Sequence, residues 1–240
     1  MRALSSLPGL ALSSVVIACV AHAAPTVAFL PGPRRRLLPT LAGIGDPGHV
    51  ALTFDDGPST RSTPLFLDLL RERGVRATFF LLGDQVARTP DIARAIVAEG
   101  HEVAVHGWNH RCLLRKGPYR TQAELRAARD VIEDTTGVRP LRFRAPYGVF
   151  STSSLLAARS LGLTPVLWSA WGFDWTERAT GMSVRRRVLK DLDGGGTILL
   201  HDSDIAAAPQ AWRSTLDALP HVLDECARRG FEVGPLRDHS

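Results

Sequence analysis

Two adjacent carboxylates and a pair of histidines four residues apart are the side chains in this sequence that first suggest metal-binding or acid–base chemistry. Asp55 and Asp56 lie together in the run TFDDGP, at the end of an apolar segment. Neighbouring anions repel unless something cationic lies close to them. His106 and His110, in HGWNH, are four residues apart, which places two imidazoles on one side of a helical turn or tight loop. Two histidines and one carboxylate form the open ligand set that catalytic zinc sites require.

The aspartate pair could then divide its work between two roles. One carboxylate would ligate a divalent metal, and the other would stay free as a base for a water, whose pKa such a metal lowers to roughly 7. Each motif has a plainer interpretation when it is taken alone. Asp-Gly-Pro is ordinary turn chemistry, and an HxxxH pair is more often structural. The metal hypothesis depends on both motifs meeting in the fold.

Three further residues could complete a catalytic site. Arg144, in RAPYG, precedes a Pro-Tyr turn and could hold a carboxylate by a charge-assisted hydrogen bond, although surface arginines are the commoner case. His201 follows the apolar run ILL and has a core histidine as its plainer interpretation. Asp174 could orient His201 and raise its pKa, which would fit His201 to donate a proton to a leaving group.

Apolar segments alternate with amphipathic ones from His49 onward, which predicts a parallel sheet in an α/β fold. The predicted strands are HVALTF, VRATFFLL, HEVAVH, PLRFRA, TPVLWS, GTILLH and FEVG. The predicted helices are Thr63–Arg73, Pro90–Glu99, Thr121–Thr135, Ser153–Ser160, Ser183–Leu192 and Ser214–Arg229. The strands are nearly continuous apolar runs, as expected where both faces are covered. A closed barrel and an open doubly wound sheet both fit this pattern.

Ionisable and aromatic residues follow the C-terminal ends of these predicted strands, where active sites form in parallel α/β folds. They are Asp55, Asp56, His106, His110, Arg144, Tyr147, Asp174, Trp175, His201 and Asp202. So many such groups at one edge are hard to explain as surface residues without a role, which favours an active site there. No glycine-rich phosphate loop follows the first strand, which argues against a nucleotide site.

The net charge of +5 comes almost entirely from arginine, because Lys116 and Lys190 are the only lysines among the 240 residues. The arginines are scattered, and the clusters Arg34–Arg36 and Arg185–Arg187 are predicted to be solvated faces. We therefore expect no nucleic-acid partner, although a mildly basic surface favours an anionic polymer. We expect the chain to be a monomer.

Residues 1–47 are predicted to be a hydrophobic signal- or anchor-like segment and a linker, and residues 48–240 a single catalytic domain. Leu10–Ala24 is apolar, and Ala21-His22-Ala23 resembles a signal-peptide cleavage site. A secreted or cell-envelope location is therefore expected, with membrane contact only through this segment. The alternative is a hydrophobic extension packed on the domain, with a cytoplasmic location left open, since Arg34–Arg36 oppose the positive-inside bias.

The three cysteines, Cys19, Cys112 and Cys226, do not form a metal or redox motif, because no CxxC spacing occurs. Cys112 and Cys226 could pair if the N-terminus is removed. Free, partly buried thiols are the preferred prediction.

The runs TFDDGP, HGWNH, RAPYG, FDW and LLH resemble, in their order, the five motifs of the polysaccharide deacetylase family, carbohydrate esterase family 4. The resemblance covers about Gly48 to Leu236. It implies a distorted (β/α) barrel, consistent with about seven parallel strands in a single domain, and removal of acetyl groups from polymeric sugars. It also implies a divalent metal, with Zn²⁺ expected and Co²⁺ or Mn²⁺ as alternatives.

Carried over by motif, the resemblance implies that Asp55 is the general base and that Asp56, His106 and His110 are the metal ligands. Arg144 would position Asp55. In this assignment the repulsion between the adjacent aspartates is offset, because Asp56 faces the metal ion and Asp55 faces the guanidinium of Arg144.

The same resemblance implies roles for five more residues. The Tyr147 backbone N–H would help to stabilise the tetrahedral oxyanion. His201 would be the acid that protonates the departing amine, with its pKa tuned by Asp174. Leu199 and Trp175 would line a small pocket for the acetyl methyl group.

Two positions depart from the family pattern. Gly107 stands where the second motif usually has Ser or Thr, so a loop-stabilising hydroxyl is missing. Trp171 stands where the fourth motif often has an additional Asp. Trp168, Trp171 and Trp175 are most simply core or rim packing, but they would also make a stacking wall for sugar rings. The departures affect the expected shape of the substrate groove.

The leading functional prediction is a zinc-dependent deacetylase acting on N-acetylated glycans, either chitin-type oligomers or peptidoglycan. The first alternative is an O-acetyl esterase on acetylated xylan, which the same site could serve. The second is a non-catalytic glycan-binding module that retains a metal. Asp55 and His201 argue against the last alternative, because a binding module needs neither a base nor an acid.

Overall fold

A single parallel sheet organises the fold of residues 16–239, the part of the chain that the computed structural model describes. The strands are β1 His49–Asp55, β2 Thr78–Leu81, β3 Glu102–Val105, β4 Arg142–Phe143, β5 Thr164–Pro165, β6 Ala170–Trp171, β7 Thr197–His201 and β8 Glu232–Gly234. Their order is β5-β4-β3-β2-β1-β7-β6, and β8 pairs with the first three residues of β1. The central strand β1 is buried along its whole length.

The sheet curls into a half-barrel, as the predicted α/β barrel fold requires. The predicted fold class is therefore confirmed, with seven strands along one path and β8 as a side pairing. No pairing joins β5 to β6 within residues 16–239, so a seam remains between the two end strands. Because of this seam, the sheet is an open half-barrel and not a barrel closed by hydrogen bonds between its end strands.

Helices cover the sheet and connect its strands. They are α1 (described residues 16–23), α2 Pro31–Leu37, α3 Thr63–Glu72, α4 Gly83–Arg88, α5 Pro90–Ala98, α6 Pro118–Thr136, α7 Thr152–Ser160, α8 Gly181–Asp191 and α9 Trp212–Arg228. Short 3₁₀ segments lie at Ala24–Phe29, Leu113–Arg115, Pro146–Gly148 and Leu236–Asp238. Several helices begin at a proline, whose missing N–H has no partner in a first helical turn.

The sequence-based element predictions need three corrections. The predicted strand TPVLWS divides, since Thr164–Pro165 is β5 while residues 166–169 leave the ladder and cross the seam to β6. The helix Gly83–Arg88 was missed, because six residues are too few for a clear apolar period. Pro31–Leu37, predicted as linker, is a helix that begins at its proline.

Side chains on the two faces of β1 pack in different parts of the core. Val50, Leu52 and Phe54 join the large core that packs under the helices. Ala51, on the opposite face, joins a small cluster with Phe80, Ala104, Val166 and Leu236. Because strand side chains alternate in direction, Thr53 and Asp55 lie on the same face as Ala51. The inner face of the half-barrel therefore has room for polar groups.

The N-terminal segment is described only from residue 16, so part of the predicted signal stretch Leu10–Ala24 lies outside the described residues. Within residues 16–239, no single helix is long and apolar enough to cross a membrane. Val16–Phe29 and Pro31–Leu37 together have the length and apolar composition of a membrane span, but the chain bends by 89° between them. The signal and the domain division at residue 47 stay predictions. Cys19, Cys112 and Cys226 are free thiols, which agrees with the preferred prediction that no disulfide forms between them.

Candidate active site

The ten predicted site residues come together around one cavity, at the C-terminal edge of the sheet. The cavity has a volume of about 250 Å³, and eight of the ten line it: Asp55, Asp56, His106, His110, Tyr147, Trp175, Leu199 and His201. The other two, Arg144 and Asp174, are buried beside it and bind Asp55 and His201. Their roles in a reaction remain proposals, but their convergence is a property of the fold.

A backbone turn explains how two adjacent aspartates reach the same cavity. Asp55 is the last residue of β1, and strand alternation would send the next side chain to the opposite face. Asp56 instead has a left-handed φ of 75°, which turns its side chain back towards the cavity. Non-glycine residues avoid this region at a cost of about 1–3 kcal/mol unless surrounding structure holds them there. The local strain therefore coincides with the site.

Arg144 holds Asp55 at the base of the cavity. Its Nη1 donates to Oδ1 of Asp55 at 2.7 Å and to Oγ1 of Thr53 at 2.9 Å, while Nη2 donates to the Leu167 carbonyl at 2.9 Å. The guanidinium lies 4.0 Å from the ring centroid of Phe80, and the whole side chain is buried. One carboxylate oxygen of Asp55 is thereby fixed, and the other faces the cavity.

Asp56, His106 and His110 form a compact set of ligand atoms. Oδ1 of Asp56 lies 3.3 Å from Nε2 of His106 and 3.2 Å from Nε2 of His110, and one ligand atom from each residue lies within 4.8 Å of the others. Oδ1 of Asp56 is buried and has no hydrogen-bond partner among residues 16–239. Buried carboxylates without partners are costly. A cation at this point would satisfy the orphaned oxygen.

The tautomer of His106 also fits a cation. Its Nδ1 lies 2.9 Å from the Arg144 carbonyl oxygen, which can only accept, so Nδ1 carries the proton and donates. In the neutral ring Nε2 then presents a lone pair towards Asp56. This arrangement, in which the second ring nitrogen is anchored by a carbonyl, is the usual support of metal-binding histidines. The donor set therefore fits a divalent metal such as zinc.

Protonation states in this cluster are those that ligands need. Burial lowers the pKa of His110 to about 4, so its ring is neutral at pH 7. Burial alone would raise the pKa of Asp56, but close contact with His106 and the nearby His201 and His110 lowers it well below its usual value. A neutral imidazole and an ionised carboxylate are both competent donors to a metal.

His201 is held in place by a buried carboxylate. Asp174 accepts from the His201 ring at Nδ1 (2.9 Å), from the His201 backbone N–H (2.7 Å) and from the hydroxyl of Thr215 (2.7 Å). Burial alone would lower the pKa of His201, but Asp174 and the aspartate pair raise it to about 10. The ring is therefore protonated at neutral pH, with Nε2 3.9 Å from Oδ2 of Asp56.

Aromatic side chains build the outer walls of the cavity. Trp171 and Trp175 stack with ring centroids 4.6 Å apart, and Trp168 lies 5.0 Å from Trp171. On the opposite wall the ring of Tyr147, which is left-handed at φ 61°, packs edge-on against His110 at 4.5 Å. Stacked rings beside polar catalytic groups suit sugar faces, whose C–H groups are apolar.

The missing hydroxyl at Gly107 is replaced by a more distant group. Oε1 of Glu124, on helix α6, accepts from the Trp108 backbone N–H at 3.4 Å, and Oε2 pairs with Lys116. Gly107 itself has a φ of 86°, which an L side chain rarely adopts. The histidine loop is thus supported by a carboxylate seventeen positions from Gly107 in the sequence, which no local motif predicts.

Asp202, the other acidic residue predicted at this edge, lies beneath the loop and does not line the cavity. Its Oδ2 accepts from the Thr63 hydroxyl at 2.5 Å. A Cβ at Gly57 would lie 2.7 Å from the same oxygen, so glycine is needed there for the close approach. Asp202 therefore supports the DDGP turn from below.

Sequence reasoning missed four residues of this site: Thr53, Phe80, Thr215 and Phe29. Thr53 and Phe80 bind Arg144, and Thr215 binds Asp174. Phe29 lines the cavity from the N-terminal segment. Alternation along β1 would have pointed to Thr53, two residues before Asp55, but the other three carry no local signal.

The fold and the site together define an α/β half-barrel protein with an Asp-His-His cluster that could hold a metal at the C-terminal strand edge. A family model described as polysaccharide deacetylase matches residues 42–166. The chain is 37% identical over 198 residues, covering 78% of its own length and 88% of the other, to a chitooligosaccharide deacetylase of Bradyrhizobium sp. (strain ANU 289). The chain belongs to the polysaccharide deacetylase family.

Solved structures agree with this assignment. The peptidoglycan N-acetylglucosamine deacetylase Bc1960 superposes with a TM-score of 0.78 at 27% identity, covering 87% of this chain and 96% of that one. A mutant of BA3943, a CE4 family pseudoenzyme with restored enzymatic activity, superposes with a TM-score of 0.73 at 26% identity, covering 80% and 67%. Because the family includes a pseudoenzyme, the catalytic side chains of each member decide its activity.

Proposed function

We propose that this chain is a metal-dependent hydrolase that removes acetyl groups from N-acetylated glycans. One observation carries the proposal: a candidate base and a candidate acid border the same ligand cluster. Oδ2 of Asp55 lies 3.7 Å from Nε2 of His106, and Nε2 of His201 lies 3.9 Å from Oδ2 of Asp56. A non-catalytic binding module needs neither group.

The ligands Asp56, His106 and His110 would hold the metal, which when bound would lower the pKa of water and polarise the acetyl carbonyl. Asp55, oriented by the hydrogen bond from Arg144, accepts a proton from the attacking water. The Tyr147 backbone N–H is proposed to donate to the oxyanion that forms as the carbonyl carbon becomes tetrahedral. Trp175 and Leu199 enclose the methyl group.

His201 completes the reaction by donating its Nε2 proton to the departing nitrogen, while the C–N bond breaks and acetate is released. An amine leaves only when it is protonated, because its anion is far too basic. The raised pKa of His201, about 10, keeps that proton available at neutral pH. This property supports an N-acetyl substrate over an O-acetyl ester, whose leaving group is less basic.

The substrate class is proposed from the cavity and from the relatives. Trp171 and Trp175 offer stacked faces to a pyranose ring. The relatives named above are a chitooligosaccharide and a peptidoglycan deacetylase, and both substrates carry N-acetylglucosamine. We propose zinc as the native metal and a cell-envelope or external site of action, as the apolar stretch Leu10–Ala24 suggests.

The test is a comparison of acetate release from three acetylated substrates by the full chain: N-acetylchitotetraose, peptidoglycan and acetylated xylan. Release from either N-acetylated substrate, well above that from acetylxylan, is the expected outcome. Faster release from acetylxylan would replace the proposal with an O-acetyl esterase. Binding to all three without any turnover would contradict enzymatic function.

A further inference from the structure

The N-terminal segment reaches the cavity through one side chain, Phe29. This ring lines the cavity together with Trp168, Trp171 and Trp175, and it meets Trp171 edge-on with ring centroids 6.5 Å apart. It is 40% exposed. A large apolar side chain that lines a cavity and stays open to solvent is suited to contact a ligand.

Hydrogen bonds from a buried side chain attach the segment that carries Phe29 to the domain. Arg34, predicted to be solvated, is only 3% exposed, which corrects that prediction. Its Nη1 donates to the Ala28 carbonyl at 3.0 Å and its Nη2 to the Trp168 carbonyl at 2.6 Å. One guanidinium therefore ties the residue before Phe29 to the aromatic wall of the cavity.

The attachment point is the seam between β5 and β6. Residues 166–169 cross this seam, and three of their carbonyls accept hydrogen bonds from arginine side chains: Arg144 donates to those of Val166 and Leu167, and Arg34 donates to that of Trp168. The Leu167 N–H donates to the Leu41 carbonyl at 2.7 Å. The N-terminal segment thus supplies the hydrogen bonds that an open sheet edge requires.

Trp168 joins the segment to the catalytic residues. Its ring lies 5.7 Å from the guanidinium carbon of Arg34 and 5.7 Å from that of Arg144, which also holds Asp55. A signal-peptide cut after Ala23, at the site the sequence suggests, would leave Phe29 and Arg34 in the chain. The segment can therefore serve the site whether or not the first residues are removed.

We propose that Phe29 is a substrate-contact residue that forms the outer aromatic wall of the glycan cavity, and that Arg34 is a positioning residue that holds it there. The inference rests on the proposed function, since the occupant is a glycan. The ring would stack on a sugar beside the one being deacetylated. Phe29 would then contribute to affinity for oligomers and not to the chemical step.

The test compares Phe29→Ala, Phe29→Tyr and a matched control, Val27→Ala, whose side chain is 60% exposed in the same 3₁₀ segment. With N-acetylchitotetraose, Phe29→Ala should raise KM about tenfold and leave kcat within about twofold, as expected for loss of one apolar contact made equally before and during reaction. Phe29→Tyr and Val27→Ala should behave as the wild type. A KM of Phe29→Ala equal to that of Val27→Ala would overturn the inference.

Arg34→Met tests the positioning role. Its KM should rise as in Phe29→Ala, and the double variant Arg34→Met/Phe29→Ala should be no worse than either single variant, because both remove one contact. A multiplied KM in the double variant would exclude positioning through Phe29. Matching melting temperatures for Phe29→Ala and Val27→Ala will establish that both are folded.

The same variants separate this inference from the proposed function. If the wild type releases no acetate from any glycan, the proposed function fails, and the Kd for N-acetylchitotetraose, measured by tryptophan fluorescence, replaces KM. A Kd raised about tenfold in Phe29→Ala alone would still support the contact. No detectable binding of the tetramer to the wild type would overturn it.

Discussion

The guanidinium of Arg144 donates to the carboxylate of Asp55 at 2.7 Å, and both side chains are buried at the end of β1. Because of this ion pair, the two adjacent aspartates have different partners. Asp55 faces an arginine, whereas Asp56 faces two histidines. Each of the adjacent carboxylates therefore has partners of its own, and each is available for a different task.

Loss of Arg144 should destabilise the fold. Arg144→Met leaves the buried carboxylate of Asp55 without its partner, which costs about 3–5 kcal/mol of unfolding free energy. Arg61→Met is the control, because Arg61 is 65% exposed in its 3.8 Å pair with Asp204 and such pairs contribute about 0–1 kcal/mol. Urea unfolding measures both. Equal stabilities for the two variants would contradict the structural role of the pair.

The two aspartates should fail in different ways when each is changed. Asp55→Asn removes the base but no ligand, so metal content should stay at the wild-type level while kcat falls by about 10²–10⁴-fold. Asp56→Asn weakens the ligand set, so metal content itself should fall. Metal-to-protein ratios and acetate release measure the two effects. Normal turnover in Asp55→Asn would show that the base is another group.

The pH dependence of kcat should report the acid. His201 donates only when protonated, so activity should decline as pH rises towards its pKa of about 10. Asp174 raises that pKa, and Asp174→Asn should therefore move the alkaline decline to lower pH. Thr215→Val is the control, since it removes a hydroxyl from Asp174 but keeps the carboxylate. An alkaline limb unmoved in Asp174→Asn would exclude His201 as the titrating acid.

Glu124 should support metal affinity from outside the ligand set. Its carboxylate accepts from the Trp108 N–H, between His106 and His110, so Glu124→Gln should weaken zinc binding about tenfold through a looser loop. Asp134→Asn, an exposed change on the same helix, is the control. Zinc titration measures both. A zinc Kd of Glu124→Gln equal to that of Asp134→Asn would mean that Gly107 needs no substitute for the hydroxyl.

Much of the site was predictable because its residues end parallel strands. Asp55 and His201 are the last residues of β1 and β7, which pair in register, so their meeting follows from topology alone. The HxxxH spacing placed two candidate ligands, His106 and His110, in one loop. Each of these predictions used local sequence and a rule about strand ends, and the fold class followed from the same alternation of apolar runs.

The remaining features depend on contacts between residues far apart in the sequence. The left-handed φ of Asp56 carries no mark beyond a following glycine. Arg34 was predicted to be solvated because its carbonyl partners, Ala28 in the N-terminal segment and Trp168 where residues 166–169 leave the sheet, are brought to it only by the fold. Phe29 lies in an apolar segment whose composition suggests export, and composition cannot reveal that one ring of it lines a cavity.

We expect deacetylation to require a divalent metal held by Asp56, His106 and His110. The most direct measurement is acetate release from N-acetylchitotetraose by the full chain after chelation and again after zinc is added back. Acetate release should fall to background with the chelator and return when zinc is added. An unchanged rate in protein freed of metal would contradict this expectation.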